Sequence, residues 1–158
     1  MNLLHIRAMK IVTAGGDLGG ASELLLEKNA VGIKATGEII EHIISDNPNP
    51  KDRTEIGTLL EVKGVFAEAT LDDLVKILGG THTANVFTKT QGVRVLSHFD
   101  VRFISVRKSD QADVLIDLTY MDFIPEWDSQ YEQKKQTYLN FTLKSTRTSE
   151  YSIDNSAE

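Results

Sequence analysis

Gly64-Val65-Phe66-Ala67-Glu68-Ala69-Thr70-Leu71-Asp72-Asp73-Leu74-Val75-Lys76-Ile77-Leu78-Gly79-Gly80 is the stretch from which the fold can be read. Thr70 stands where an N-cap belongs, its hydroxyl placed to accept from the backbone N–H of Asp73. Asp72 and Asp73 fall in the first turn, where the positive end of the helix dipole favours anions. Leu71, Leu74, Val75 and Leu78 follow the i, i+3, i+4, i+7 spacing of one apolar stripe. Lys76 lies toward the negative end, and Gly79 is free to take the conformation that closes a helix. The spacing predicts a helix over 70–78, about nine residues long and too short to stand alone. Everything around it reads as strand, so its stripe is expected to lie on a sheet.

The flanking segments supply that sheet. Thr58 to Phe66 alternates, with Leu60, Val62 and Phe66 facing one way and Glu61 and Lys63 the other. On the far side of a polar Thr81 to Thr90, Val93 to Lys108 is the longest strand signal. Val93, Val95, Phe99, Val101 and Phe103 form its core face, and Arg94, His98, Asp100 and Arg102 point outward. Asp113 to Asp122 alternates likewise, with Val114, Ile116, Leu118 and Tyr120 inward and Asp113, Asp117 and Thr119 outward. A turn at 109–112 makes the two an antiparallel hairpin.

Nearer the N-terminus, Leu3 to Val12 reads as a strand, with a helix as the alternative, and Thr13 to Gly20 is a glycine-rich turn. Its glycines miss both phosphate-binding spacings, so it is a hairpin turn. Short strands are expected at 23–26 and 31–34, and a longer one, rich in β-branched residues, at 37–44. The two prolines, two asparagines and charges of 45–57 predict a long exposed loop. After Pro125 and Trp127 a last strand runs from Thr137 to Ser145, with Leu139, Phe141 and Leu143 on one face. Residues 146–158 read as a polar C-terminal tail or arm. The fold class is mainly β: one domain over 1–145, an antiparallel sandwich or barrel with a single short helix on its flank.

Composition narrows the function. The 158 residues suffice for one real core, and no apolar run reaches the length of a membrane span. Arg7 and Lys10 interrupt the N-terminal segment, which therefore has no signal-peptide core. The absence of cysteine excludes disulfides and thiolate metal sites. A formal charge of −6 argues against a protein whose task is gripping nucleic acid.

Catalytic patterns are lacking. His5, His42, His82 and His98 are each isolated, with no His-x-x-x-His pair and no nucleophile elbow. Asp113 and Asp117 share a strand face and suggest either a glycosidase-like pair or a solvated acidic stripe; the stripe is the better reading. No catalytic residue, metal ligand or cofactor is expected.

The order of elements carries a resemblance. A strand ends in Gly16-Asp17-Leu18-Gly19 and two short strands follow. A proline-rich loop precedes a strand running into Ala67-Glu68-Ala69-Thr70-Leu71 and a helix closed by Gly79-Gly80. A strong hairpin and a terminal strand complete the order. This resembles the tail tube proteins of long-tailed, siphovirus-like bacteriophages. The departure is the polar 81–91 stretch, which leaves room for relatives on the same fold: a tail terminator, a baseplate hub component or a type VI secretion tube protein.

The resemblance implies a structural virion protein, not an enzyme, whose copies form hexameric rings stacked into a hollow tail tube. It would be assembled in the host bacterial cytoplasm and would meet tape measure, tail terminator, and distal tail or baseplate proteins. DNA would pass through its lumen without specific binding, and no membrane would be involved. Contacts between subunits are expected from Asp46, Asn47, Pro48, Asn49, Pro50, Lys51, Asp52 and Arg53 in the loop. Asp72, Asp73 and Lys76 on the outer helix face are expected to add to them. The alternative, from a different class, is a small-molecule-binding β-barrel or a small enzyme of unknown substrate.

Overall fold

The computed structural model describes residues 3–28, 30–127, 129–130 and 138–156. Strands come first: β1 (Leu3–Thr13), β2 (Glu23–Leu25), β3 (Gly32–His42) and β4 (Asp52–Phe66). The helix α1 (Leu71–Leu78) and the short strands β5 (Thr81–Thr83) and β6 (Val86–Thr88) follow. The chain then continues through β7 (His98–Arg107), β8 (Asp113–Phe123), β9 (Ser129–Gln130) and β10 (Tyr138–Asp154). The fold is mainly β and antiparallel, with one short helix, as its alternating strands predicted.

One sheet runs in the order β2-β1-β7-β8-β10-β4-β3, with β9 beside β10, and β5 and β6 form a separate hairpin. The large sheet curls around its apolar face. At one end its edges are joined by the Leu26–Phe66 bridge. The backbone bonds Glu27 N–H to Val65 O (3.0 Å) and Ala67 N–H to Leu25 O (3.1 Å) reinforce that join. No ladder continues it, so the curl remains an open, sandwich-like wrap rather than a closed barrel.

Inside lie Met9, Val62, Phe66, Val101, Phe103, Leu118, Met121, Phe123 and Leu143, all essentially fully buried. Phe66, Phe123 and Phe141 pack ring to ring at centroid distances of 4.5 and 6.2 Å. Gly64 is required here, because a Cβ would sit 2.5 Å from the Phe141 ring.

The helix starts where the sequence put it. Thr70 accepts from Asp73 N–H, and the Asp73 carboxylate accepts from both the Thr70 N–H and hydroxyl at 2.9 Å, a complete capping box. The apolar stripe is rotated from its expected position: Ile77 and Leu78 are buried, whereas Leu71, Leu74 and Val75 are only half buried. Gly79 closes the helix at φ +74°, with the Arg94 guanidinium lying where a side chain would go.

Four expectations are corrected. The loop of 45–57 is shorter, because β3 and β4 continue pairing from Lys63–Gly32 to Asp52–His42 and leave only 43–51 as the turn. Its charges belong to a strand solvated on both sides, where Arg53 pairs with Glu41 at 3.1 Å. Residues 146–154 are no tail: β10 carries on to Asp154, and 150–154 pair with β8. Val93 and Val95 are not core; β7 begins at His98, and both valines are fully exposed. Tyr120 does not face inward; at φ +57° it reverses the alternation, and Met121 is buried in its stead.

Candidate functional site

The charges singled out by sequence resolve into local pairs. Asp113 binds Arg7, which also reaches Glu23, each at 3.0 Å. Asp117 forms a two-pronged bond with Arg102 at 2.7 and 2.9 Å. Hydrogen bonding to these carboxylates, against the opposing cost of burial, holds both guanidiniums above the ordinary arginine range. The carboxylates therefore do not form a working pair.

His98 contacts Asp122 at 2.5 Å and stacks on Tyr120 with ring centroids 4.3 Å apart. Beside them Asp100, expected outside, is buried and accepts from Gly15 N–H (2.6 Å) and Tyr120 N–H (3.0 Å). The Tyr120 carbonyl accepts from the Ser149 and Thr146 hydroxyls at 2.7 and 3.2 Å. Together these bonds hold a bend in β8. Among the described residues no cluster of His, Asp or Glu is arranged to hold a metal ion. No helix among them is long and apolar enough to cross a membrane.

The candidate contact residues divide. Residues 46–53 lie at the end of the β3–β4 hairpin and are exposed except for the half-buried Pro50. Asp72 is exposed and meets His82 at 2.5 Å. Lys76 is half buried. Asp73 is buried by its own cap, so it cannot serve a neighbouring subunit.

What the sequence reading passed over is the hairpin's body. Beyond the point where β10 leaves it, this hairpin projects as a two-stranded arm. Ile39, Ile40, Ile43, Ile44 and Ile56 on it are each 47% to 60% exposed. Ile39 and Ile40 are consecutive strand residues, so the arm is apolar on both faces. The signal was legible as two Ile-Ile pairs spaced across 39–44, but a β-branched run reads equally as buried strand.

A groove of about 870 Å³ separates the arm from the lower part of β10, with Glu38, Ile56, Leu59, Arg147, Glu150 and Tyr151 on its walls. It exists because β10 detours. Its β8 partners jump from Ser145–Met121 to Glu150–Thr119, which throws residues 146–149 out of register. The pairing of β10 with β4 ends at Lys144–Glu61.

No protein-family model matches the chain, and no curated protein matches it at a significant level.

Proposed function

We propose that this chain is a self-assembling structural subunit of the tail tube type, its copies joining into rings that stack into a conduit for DNA. The observation that carries this reading is the β3–β4 arm. A two-stranded ribbon with isoleucines on both faces has no packing partner among the described residues, and exposed apolar surface of that kind marks an interaction site.

The sheet's edges support the same reading. Among the described residues β3 is a free edge along its length, and β2 with Leu26 covers β1 from Arg7 to Lys10. Head-to-tail pairing of such edges between copies generates rings, and it removes the aggregation hazard that an open edge carries. The formal charge of −6 suits a lumen that lets a polyanion slide. A small-molecule reading would have to use open surface grooves, whose walls mix the strands' polar and charged residues with exposed apolar ones.

The test is the pair Ile40→Lys and Ile44→Lys, made together. Both positions are exposed, so the melting temperature should hold, while rings or higher multimers seen by light scattering and electron microscopy should disappear. Multimers of unchanged size would remove the arm from assembly and with it the main support for this reading.

A further inference from the structure

Where β10 parts from β4, two strand edges are left facing each other. The last link between them is Leu60 N–H donating to Ser145 Oγ at 2.9 Å. Beyond it, β4 pairs only with β3 and residues 150–154 of β10 pair only with β8. Each inward edge therefore presents a row of backbone N–H and C=O groups with no ladder partner, across the groove described above. Ile56, Leu59 and Tyr151 stand exposed on its walls. A slot with an open strand edge on either side is built to take a strand.

The same chain carries a strand without a sheet. Val93-Arg94-Val95-Leu96-Ser97 has the alternation and β-branching of a strand, yet none of it joins a ladder, and Val93 and Val95 are fully exposed. It leads away from the slot's closed end, running past Gly80 and Pro125. β7 enters the sheet with His98 beside Asp122, near α1, whereas the slot opens toward Asp154 and the 43–51 turn. One chain cannot fill its own slot with this segment; a second copy stacked end to end can.

Charge agrees. Residues 89–97 carry Lys89 and Arg94 and no acid, while Glu38 and Glu150 on the slot and Glu55 on the adjoining arm outnumber Arg147. None of Lys89, Glu38, Glu55, Glu150 and Arg147 forms an ion pair among the described residues.

We propose that the fork between β4 and β10 is a docking slot for residues 92–97 of a second copy of this chain, which enters as an added strand. Backbone bonds supply the affinity, the two valines and the walls Ile56, Leu59 and Tyr151 supply the register, and Lys89 faces the acidic rim. Successive copies then add head to tail along one axis. The inference deepens the tube reading, since it takes the partner to be this chain itself.

The chain has no cysteine, so single-cysteine variants report the contact cleanly. Val95→Cys mixed with Leu59→Cys should form a disulfide-linked heterodimer under mild oxidation. It should exceed the product of Val95→Cys with the exposed control Leu25→Cys by at least about tenfold, because docking raises the effective concentration of the pair. Adding Val95→Pro to a chain carrying Val93→Cys should abolish its excess with Leu59→Cys and leave the melting temperature unchanged, since residue 95 lies outside every ladder. Equal yields from the two pairs would overturn the slot. Rings without excess cross-linking would overturn it while leaving the tube reading intact. Excess cross-linking in head-to-tail chains that never form rings would support the slot and remove the ring. A monomer that fails to cross-link would remove both.

Discussion

Asp73 shows how a single residue can be assigned to the wrong face. Acidic and in the first helical turn, it looks like surface, yet its carboxylate is buried and accepts two bonds from Thr70. Asp73→Ala should lower stability by about 0.5–2 kcal/mol, because the Thr70 N–H and hydroxyl lose their shared acceptor and the capping box is broken. Chemical denaturation checks this; an unchanged midpoint would mean the cap is idle. Gly64→Ala should cost about 1–3 kcal/mol through overpacking against Phe141, whose ring is locked in the core.

Asp110 offers a titration at the same scale. Its hydrogen bond with Arg107, helped by the Ala112 N–H, pulls its pKa from 3.8 down to about 2. The carboxylate is favoured in the folded state, so its contribution is present above the ordinary value. It is lost as pH falls through the interval down to about 2. Carbon-detected NMR titration should show this depression in the native chain and its loss in Arg107→Ala. An unshifted Asp110 in the native protein would refute the pairing.

At the scale of elements, the sequence was most legible where one face is buried and one is wet. The strands carrying Leu60, Val62 and Phe66, Phe99, Val101 and Phe103, Val114, Ile116 and Leu118, and Leu139, Phe141 and Leu143 were readable because their alternation matches the pleat. The helix was readable from its cap. Three segments were not, each for its own reason. The outer ends of β3 and β4 are wet on both faces, so Asp52, Arg53 and Glu55 look like loop. Residues 146–154 bury little, so a paired strand looks like a tail. Val93 and Val95 have the strand pattern but lack a sheet in their own chain, so periodicity places them one element too deep. The arm and the fork were thus hidden by the same cause: neither has a buried face to impose a pattern on its sequence.

The arm yields its own prediction. Replacing residues 43–51 by Asn-Gly should close the hairpin with a two-residue turn and leave the monomer's melting temperature nearly unchanged, because shortening a surface connection is thermodynamically mild. The contacts of 46–51 should go with it, and polymer length with them. Polymers of normal length from this variant would show that the tip, Ile43 and Ile44 included, is dispensable and would leave assembly to Ile39, Ile40 and Ile56.

For the whole molecule, the curled sheet buries one aromatic-rich core and leaves exposed apolar residues clustered on the arm, along the slot and in the 93–97 segment, besides single ones such as Leu25, Val86 and Trp127. In the proposed assembly each of these clusters would meet its complement on another copy, which would offset the cost of exposing it in a free monomer. The purified chain, followed by light scattering and electron microscopy from micromolar to the highest attainable concentration at low and high salt, tests this most directly. Closed rings or stacked tubes of uniform diameter are the predicted result. A monomer at every concentration and salt, with the arm unprotected from proteolysis throughout, would contradict it.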